Sequence, residues 1–451
     1  MEERLCLLID GFNLGLESGT GVATYARNVS YCAHALGYRT DILYDTDIGV
    51  RTSQLLREIY FFDPLGRATK SPWLNWIKHL RELAAVPFDA YANSAPVTGK
   101  IITTHYKSQL PYFDTLWGSP DVFGRAYRKF AVYQNIHATR LAVHLKERPH
   151  IAHWTYPLPI HVPGAKNIYT IHDLVPLRLP FTTLDNKKIY YSLVKMLAEK
   201  ADHIITVSEN SRKDIINLLG VPENKVTNTY QSVDIPEKYA SKSEAIVKNE
   251  IEGTLDIKYK EYMLFFGAIE PKKNIGRLIE AYLASNTKTP LVIVGKKAWR
   301  SEQELRLLQD DATSYLETLG SRTFRRRRIL QLDYVPFPML VSLIKGAKAV
   351  LFPSLYEGFG LPALEAMKLG TPVLTSSEGS MPEVAADGAL VVDPYDTRAL
   401  AEAISALDTN AELRAELADK GRKRAAFFSP EAHSQKLASV YQSVLDKKDR
   451  S

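Results

Sequence analysis

Short apolar runs of four or five residues alternate along this chain with longer stretches in which apolar positions recur every three or four residues. The runs read as buried strands and the stretches as amphipathic helices. In the first half, strands are predicted at Leu5–Ile9, Arg39–Leu43, Asn167–Ile171 and His203–Val207. A helix runs from about Gly21 to Leu36, and Ser208 caps another over Glu209–Leu219. A second set follows: strands at Tyr262–Phe266, Leu291–Val294, Ile329–Leu332, Ala349–Phe352, Val373–Thr375 and Ala389–Val391. Its predicted helices are Asn274–Ala284, a segment containing Glu302–Leu319, and Met339–Ile344, with a last helix over Pro430–Leu445. Two successive strand–helix alternations predict an α/β fold with two parallel sheets, each covered on both faces.

Length agrees with two domains, since 451 residues exceed one typical core. The pattern breaks in the polar, lysine-rich stretch Asp234–Lys260, which divides residues 1–240 from residues 241–428. Residues 429–451 are expected to pack back on the first domain. Residues 51–150 fit the alternation poorly and read as an aromatic and basic insertion. Tyr60, Phe61, Phe62, Trp73, Trp76 and Trp117 there suit either a membrane or carbohydrate surface, or a small core of their own. The net charge of +6 permits anionic phosphates or lipid headgroups as partners and does not indicate nucleic acid. Cys6 and Cys32 are too few for a disulfide framework. Neither a signal-peptide core nor an apolar run of about 20 residues is present. A cytoplasmic protein is expected, either free or at the inner face of the cytoplasmic membrane.

Chemistry concentrates after the strands. Glu357-Gly358-Phe359-Gly360-Leu361-Pro362-Ala363-Leu364-Glu365 is a glycine-rich strand-to-helix turn bracketed by carboxylates, with Pro362 expected at the first helical position. Its free backbone N–H groups and the helix dipole suit a diphosphate, and its carboxylates suit sugar hydroxyls. Gly267 begins a loop that brings Lys272 and Lys273 to a helix start, where positive charge is otherwise unfavourable. Gly295-Lys296-Lys297 adds charge at the same sheet edge. Gly21 ends Ser18-Gly19-Thr20-Gly21, whose preceding loop is too long for a dinucleotide fingerprint. His172 and Asp173 end a central strand and can meet a sugar or acceptor, with Arg178 shortly after. Asp45-Thr46-Asp47 has the form of a metal motif but ends a strand of the first domain, so no metal is expected. Arg325–Arg328 read as a solvated turn.

These residues together resemble the retaining glycosyltransferases of family 4, whose GT-B fold has two facing Rossmann-like domains and an interdomain cleft. The turn from Glu357 to Glu365 resembles the family's paired-glutamate motif. Glu270-Pro271-Lys272-Lys273-Asn274 is similar to its donor-phosphate segment, and Ser18–Val22, Ile171–Asp173 and Val207–Glu209 also correspond. The resemblance implies that Glu357 touches the transferred sugar and Glu365 the ribose. It implies that Lys273 and the backbone of Gly358, Phe359, Gly360 and Leu361 hold the diphosphate, with Gly267 and Gly21 beside it. His172 would then act with Glu357 and Lys273 in catalysis, Tyr334 and Val335 would line the base pocket, and Asp173 and Arg178 would meet the acceptor. Ala268 stands where many members carry arginine, leaving Lys296 or Lys297 to substitute. Ile171–Pro180 resembles bacterial mannosyltransferases of surface polysaccharide synthesis. The expected reaction is metal-independent transfer of a hexose, mannose from GDP-mannose, to a glycan or lipid-linked acceptor. The alternatives are a UDP-sugar transferase, an epimerase or phosphorylase of the same fold, and a non-catalytic subunit of a membrane assembly complex.

Overall fold

A computed structural model describes residues 4–14, 21–48, 53–62, 90–98, 100–101, 110–135, 139–143, 148–309, 314–319 and 322–447. Ser18, Gly19, Thr20, Trp73 and Trp76 lie outside the described residues. The first sheet is built from β1 (Cys6–Asp10), β2 (Arg39–Tyr44), β3 (Ala90–Ala95), β4 (Thr115–Gly118), β5 (Leu141–Val143), β6 (Ile151–Trp154), β7 (Lys166–Thr170), β8 (His203–Thr206) and β9 (Val226–Asn228). Their spatial order is β5-β3-β4-β2-β1-β6-β7-β8-β9, parallel throughout except where β3 runs against β4. The second sheet uses β10 (Met263–Phe266), β11 (Leu291–Val294), β14 (Ile329–Leu332), β15 (Ala349–Phe352), β16 (Val373–Ser376) and β17 (Leu390–Val392). It is parallel, in the order β14-β11-β10-β15-β16-β17.

Continuous apolar runs explain the parallel pairing. Met263-Leu264-Phe265-Phe266 and Leu291-Val292-Ile293-Val294 are buried at every position, because helices cover both faces of the sheet. The helices are closed by local chemistry. Ser208 accepts a hydrogen bond from the Ser211 N–H and opens Glu209–Leu219, and Gly220 ends it in the left-handed conformation at φ 68°.

Three expectations are corrected. The helix predicted through Glu302–Leu319 stops after Ser301–Glu304 and a 3-10 turn, Arg306–Gln309. The chain then forms an antiparallel hairpin of β12 (Ser314–Leu319) and β13 (Arg322–Arg327). Gly320-Ser321 stands between the paired ends, and that two-residue spacing outweighs the helical reading of the flanking leucines. The arginines expected in a solvated turn therefore continue a strand, and Arg328 after it donates to the Thr287 carbonyl at 2.7 Å. The described parts of residues 51–150 are not a separate insertion either. They contribute β3, β4 and β5 to the first sheet, and Trp117 is buried with its indole N–H donating to Asp41 at 3.0 Å.

The last helix, Pro430–Leu445, lies against the helix Gly21–Ala35 of the first sheet. Tyr441 is buried there, and its hydroxyl meets His153 Nδ1 at 2.7 Å. His153 Nε2 meets the Thr170 hydroxyl at 2.7 Å, so the contact passes into β6 and β7. Among the described residues, no helix is long and apolar enough to cross a membrane.

Removing the Tyr441 hydroxyl strands a buried histidine nitrogen. Tyr441→Phe is expected to cost ~1–3 kcal/mol, and Tyr441→Ala ~3–5 kcal/mol through the cavity it leaves. Denaturant titration of the variants measures both. Equal stability of Tyr441→Ala and the parent chain would contradict this anchoring of the last helix.

Candidate active site

In a doubly wound sheet, ligands bind where the strand order reverses, beyond the carboxyl ends of the two central strands. In the second sheet that point lies between β10 and β15. After β10, Gly267 takes φ 141°. A Cβ on neighbouring Gly295 would lie 1.9 Å from the Gly267 carbonyl oxygen, so only glycine fits there. The 3-10 turn Pro271–Lys273 follows, held to the end of β15 by two contacts. Leu355 N–H donates to the Lys272 carbonyl at 2.8 Å, and Asn274 Nδ2 donates to the Pro353 carbonyl at 3.1 Å.

This arrangement brings Lys273 Nζ within 2.6 Å of Glu357 Oε1. Both residues are buried, at 8% and 7% exposure. The ammonium also lies 4.9 Å from the centre of the Phe352 ring. Burial pushes the Glu357 carboxyl up, but the charges of Lys273 and Lys272 and the hydrogen bonds it accepts outweigh burial and hold it below its usual range. Lys272 lies 3.4 Å from Glu270. Burial disfavours its charge, but Glu357, Glu270 and Asp173 more than compensate and raise its pKa. The turn is thus a dry, charged site, with one contribution arriving from Asp173 of the first half.

The glycines allow the close approach. A Cβ on Gly358 would stand 2.7 Å from Asp173 Oδ2 and 3.1 Å from the His172 carbonyl oxygen. Gly360, at φ 91°, caps the helix Leu361–Lys368. Pro362 therefore takes the second helical position rather than the first. Leu361 reaches back across the cleft, its Cδ1 3.4 Å from where a Gly21 Cβ would stand. Phe359 contributes its backbone to this turn, because its ring packs 5.3 Å from Phe428. One turn into the helix, half-buried Glu365 has no ion-pair partner among the described residues, and burial pushes its carboxyl up to about 7.

The first sheet reverses between β1 and β6. Asp10 ends β1, is buried, and accepts the Thr155 hydroxyl at 2.9 Å and the Thr155 N–H. Burial pushes its carboxyl up to about 6, against those hydrogen bonds. His172 Nε2 donates to the Thr155 carbonyl at 2.9 Å, and its ring lies edge-on to Tyr25 at 4.9 Å. Burial lowers the His172 pKa, so the ring is neutral with Nδ1 as its acceptor nitrogen. Asp173 Oδ1 accepts the Val175 N–H at 3.1 Å.

Lys273, Glu357, Gly358, Phe359, Gly360, Leu361, Gly21, His172 and Asp173 thus meet across one interface. The backbone of Lys296 and Lys297 pairs with Ile269 of the loop that carries Lys273. Lys296 and Lys297 are exposed, Tyr334 is 82% exposed, and Val335 is half-buried beside it. Arg178 lies 3.5 Å from Asp214, so an ion partner within the first half already engages it. Asp45 accepts the Val122 N–H at 3.0 Å, a helix-start contact that gives this aspartate a structural role.

Sequence reasoning missed the residues that join the halves. Tyr356 donates its hydroxyl to Asp214 and accepts from Asn210 Nδ2 at 2.6 Å. Glu383 Oε1 and Oε2 accept the Glu209 and Asn210 N–H groups at 2.8 and 3.1 Å. A carboxylate of one half thereby caps a helix of the other. The Ser208 cap signalled that this helix starts there, but nothing local signalled a partner 174 residues away.

Residues 247–424 match the family model described as Glycosyl transferases group 1, and residues 100–236 match Glycosyltransferase Family 4. The chain is 32% identical over 280 residues to O-antigen chain mannosyltransferase B of Escherichia coli, covering 59% of this chain and 68% of that protein. It is 30% identical over 242 residues to O-antigen chain mannosyltransferase RfbU of Salmonella typhimurium, covering 53% of this chain and 60% of that one. Its backbone superposes on sucrose-phosphate synthase from Thermosynechococcus elongatus with a TM-score of 0.65 at 17% identity, over 99% of this chain and 100% of that one. The two-sheet arrangement is the GT-B fold.

Glu365 generates a pH test. Its folded carboxyl ionises near 7 and its unfolded one near the ordinary 4.5, so the folded state holds the extra proton in between. Stability therefore falls as pH rises through that window and levels off above it. Glu365→Gln removes this slope. Its stability relative to the parent is expected to improve by at most ~3 kcal/mol between pH 4.5 and 8, read by denaturant titration. A difference that stays constant across that range would contradict the assignment.

Proposed function

The chain belongs to the glycosyltransferases of group 1 and family 4, and we propose that it transfers mannose from GDP-mannose to a hydroxyl of a glycan or lipid-linked acceptor, with retention of the anomeric configuration. One observation carries this reading. The buried Lys273–Glu357 pair stands at the reversal point of the second sheet, across from His172 and Asp173, which follow β7 beside the reversal point of the first. A diphosphate fits beside Lys273, Lys272 and the N–H groups at the start of the helix Leu361–Lys368. These supply the positive charge that a departing nucleotide needs, so no metal is required. Glu357 then meets hydroxyls of the transferred sugar, and Glu365 those of the ribose.

The donor's C1–phosphate oxygen bond breaks as the acceptor oxygen bonds to C1 from the same face. The acceptor proton passes to the departing phosphate oxygen. His172 is neutral and steadies a sugar hydroxyl through Nδ1. Mannose as the sugar is supported by the names of the two relatives, both O-antigen mannosyltransferases. Surface polysaccharide made at the inner face of the cytoplasmic membrane is the corresponding setting.

Transfer to methyl α-mannoside, followed by proton NMR of the product's anomeric signal, tests the reading. An α-linked product is expected, with a rate unchanged by EDTA. Lys273→Ala and Glu357→Gln are each expected to lower kcat/KM by about 100-fold or more. A β-linked product would contradict retention, loss of activity in EDTA would contradict a metal-free mechanism, and turnover of UDP-sugars alone would contradict the donor.

A further inference from the structure

We propose that the first turn of the helix Glu209–Leu219 positions Glu357 for the transfer reaction, acting through Tyr356, with Asp214 as the residue that fixes Tyr356. The inference rests on the role just given to Glu357 and extends it to residues of the opposite half. Tyr356 immediately precedes Glu357 and is buried. Its hydroxyl is held on both sides by the first half, donating to Asp214 and accepting from Asn210. On its other side, Glu357 is held by its own half. Its carbonyl accepts from Ser380 N–H at 3.1 Å and Ser380 Oγ at 2.9 Å. Gly379, at φ 63°, makes this approach possible, since a Cβ there would lie 2.9 Å from the Glu357 N and O atoms.

The backbone of the sugar-binding carboxylate is therefore suspended between two anchors, one in each half. The second-half anchor is present whether or not the halves close. The first-half anchor exists only when the helix Glu209–Leu219 meets the donor loop. Glu383, capping that helix at Glu209 and Asn210, ties the same turn to the segment just after Ser380. Asp214 also holds Arg178 at 3.5 Å, joining the donor loop to a half-exposed cation of the first half. The direction of the Glu357 side chain toward Lys273 thus depends on contact between the halves, and Tyr356 transmits it. Tyr356, Asp214 and Asn210 are positioning residues, since none of them touches Lys273.

Tyr356→Phe and Asp214→Leu test this, alone and together, in the full chain. Without any substrate, hydrogen exchange of the segment 353–361 is expected to quicken by about tenfold in either variant. With GDP-mannose and methyl α-mannoside, kcat is expected to fall by about tenfold while the donor KM moves less than about twofold. The double variant should be no slower than the slower single one, because the Tyr356–Asp214 hydrogen bond is already lost in each. Unchanged exchange in segment 353–361 would overturn the proposal, as would losses that multiply in the double variant. If the parent chain turns over no GDP-mannose, the donor reading fails, and the exchange result still decides this one.

Discussion

An ammonium group removed from water needs an anion beside it, and the second half of this protein is arranged around that requirement. Lys273 and Glu357 meet at 2.6 Å in a buried site, each brought there by the end of a central strand. A buried ion pair is weak evidence for stability, because the desolvation cost of both charges offsets much of their attraction. Its value here is chemical. The pair stores a positive charge that is already desolvated and aimed at the place where a diphosphate would sit. On the proposed reading, a nucleotide entering the cleft would set its phosphates beside an ammonium that is already out of water.

Topology gives the pair its address. Both sheets reverse strand order at their centres, and the two reversal points face each other. On one side Asp10 organises Thr155, and Thr155 in turn orients His172. On the other, Asn274 and Leu355 hold the turn that carries Lys273. The distance between the halves is set by side chains that are missing as much as by those present. Gly358 lets the donor loop approach Asp173 to a separation that no Cβ would permit. Tyr356 and Glu383 then fasten the contact through one helix start. On the role proposed for Tyr356, this contact between the halves sets the geometry of Glu357.

Much of this was legible in the sequence, and the exceptions have physical causes. The buried strands were plain because parallel sheets demand unbroken apolar runs, and the helix Glu209–Leu219 was plain because Ser208 and Gly220 mark its ends. Lys273 and Glu357 stood out because a lysine at a helix start and an acid beside a glycine turn each make little sense without a ligand. The β12–β13 hairpin is hidden, since Leu316 and Leu319 stand three apart, a spacing that suits one face of a helix and opposite faces of a strand. Trp117 is open to either reading in the sequence, surface or core, because its partner, Asp41, is distant along the chain. The same blindness covered Tyr356, Asp214 and Glu383. Their partners belong to the other half, and local pattern carries no information about contacts made only in the folded chain.

On the proposed reading, Lys273 serves the phosphates while Glu357 serves the sugar. Calorimetric titration of GDP, which lacks the sugar, into two variants separates these roles. Lys273→Ala should weaken GDP binding by about tenfold or more, through loss of a charge-assisted contact. Glu357→Gln should bind GDP as tightly as the parent or more tightly, because the carboxylate that competes for Lys273 is gone. A Glu357→Gln variant that loses GDP affinity as severely as Lys273→Ala would contradict this division of roles.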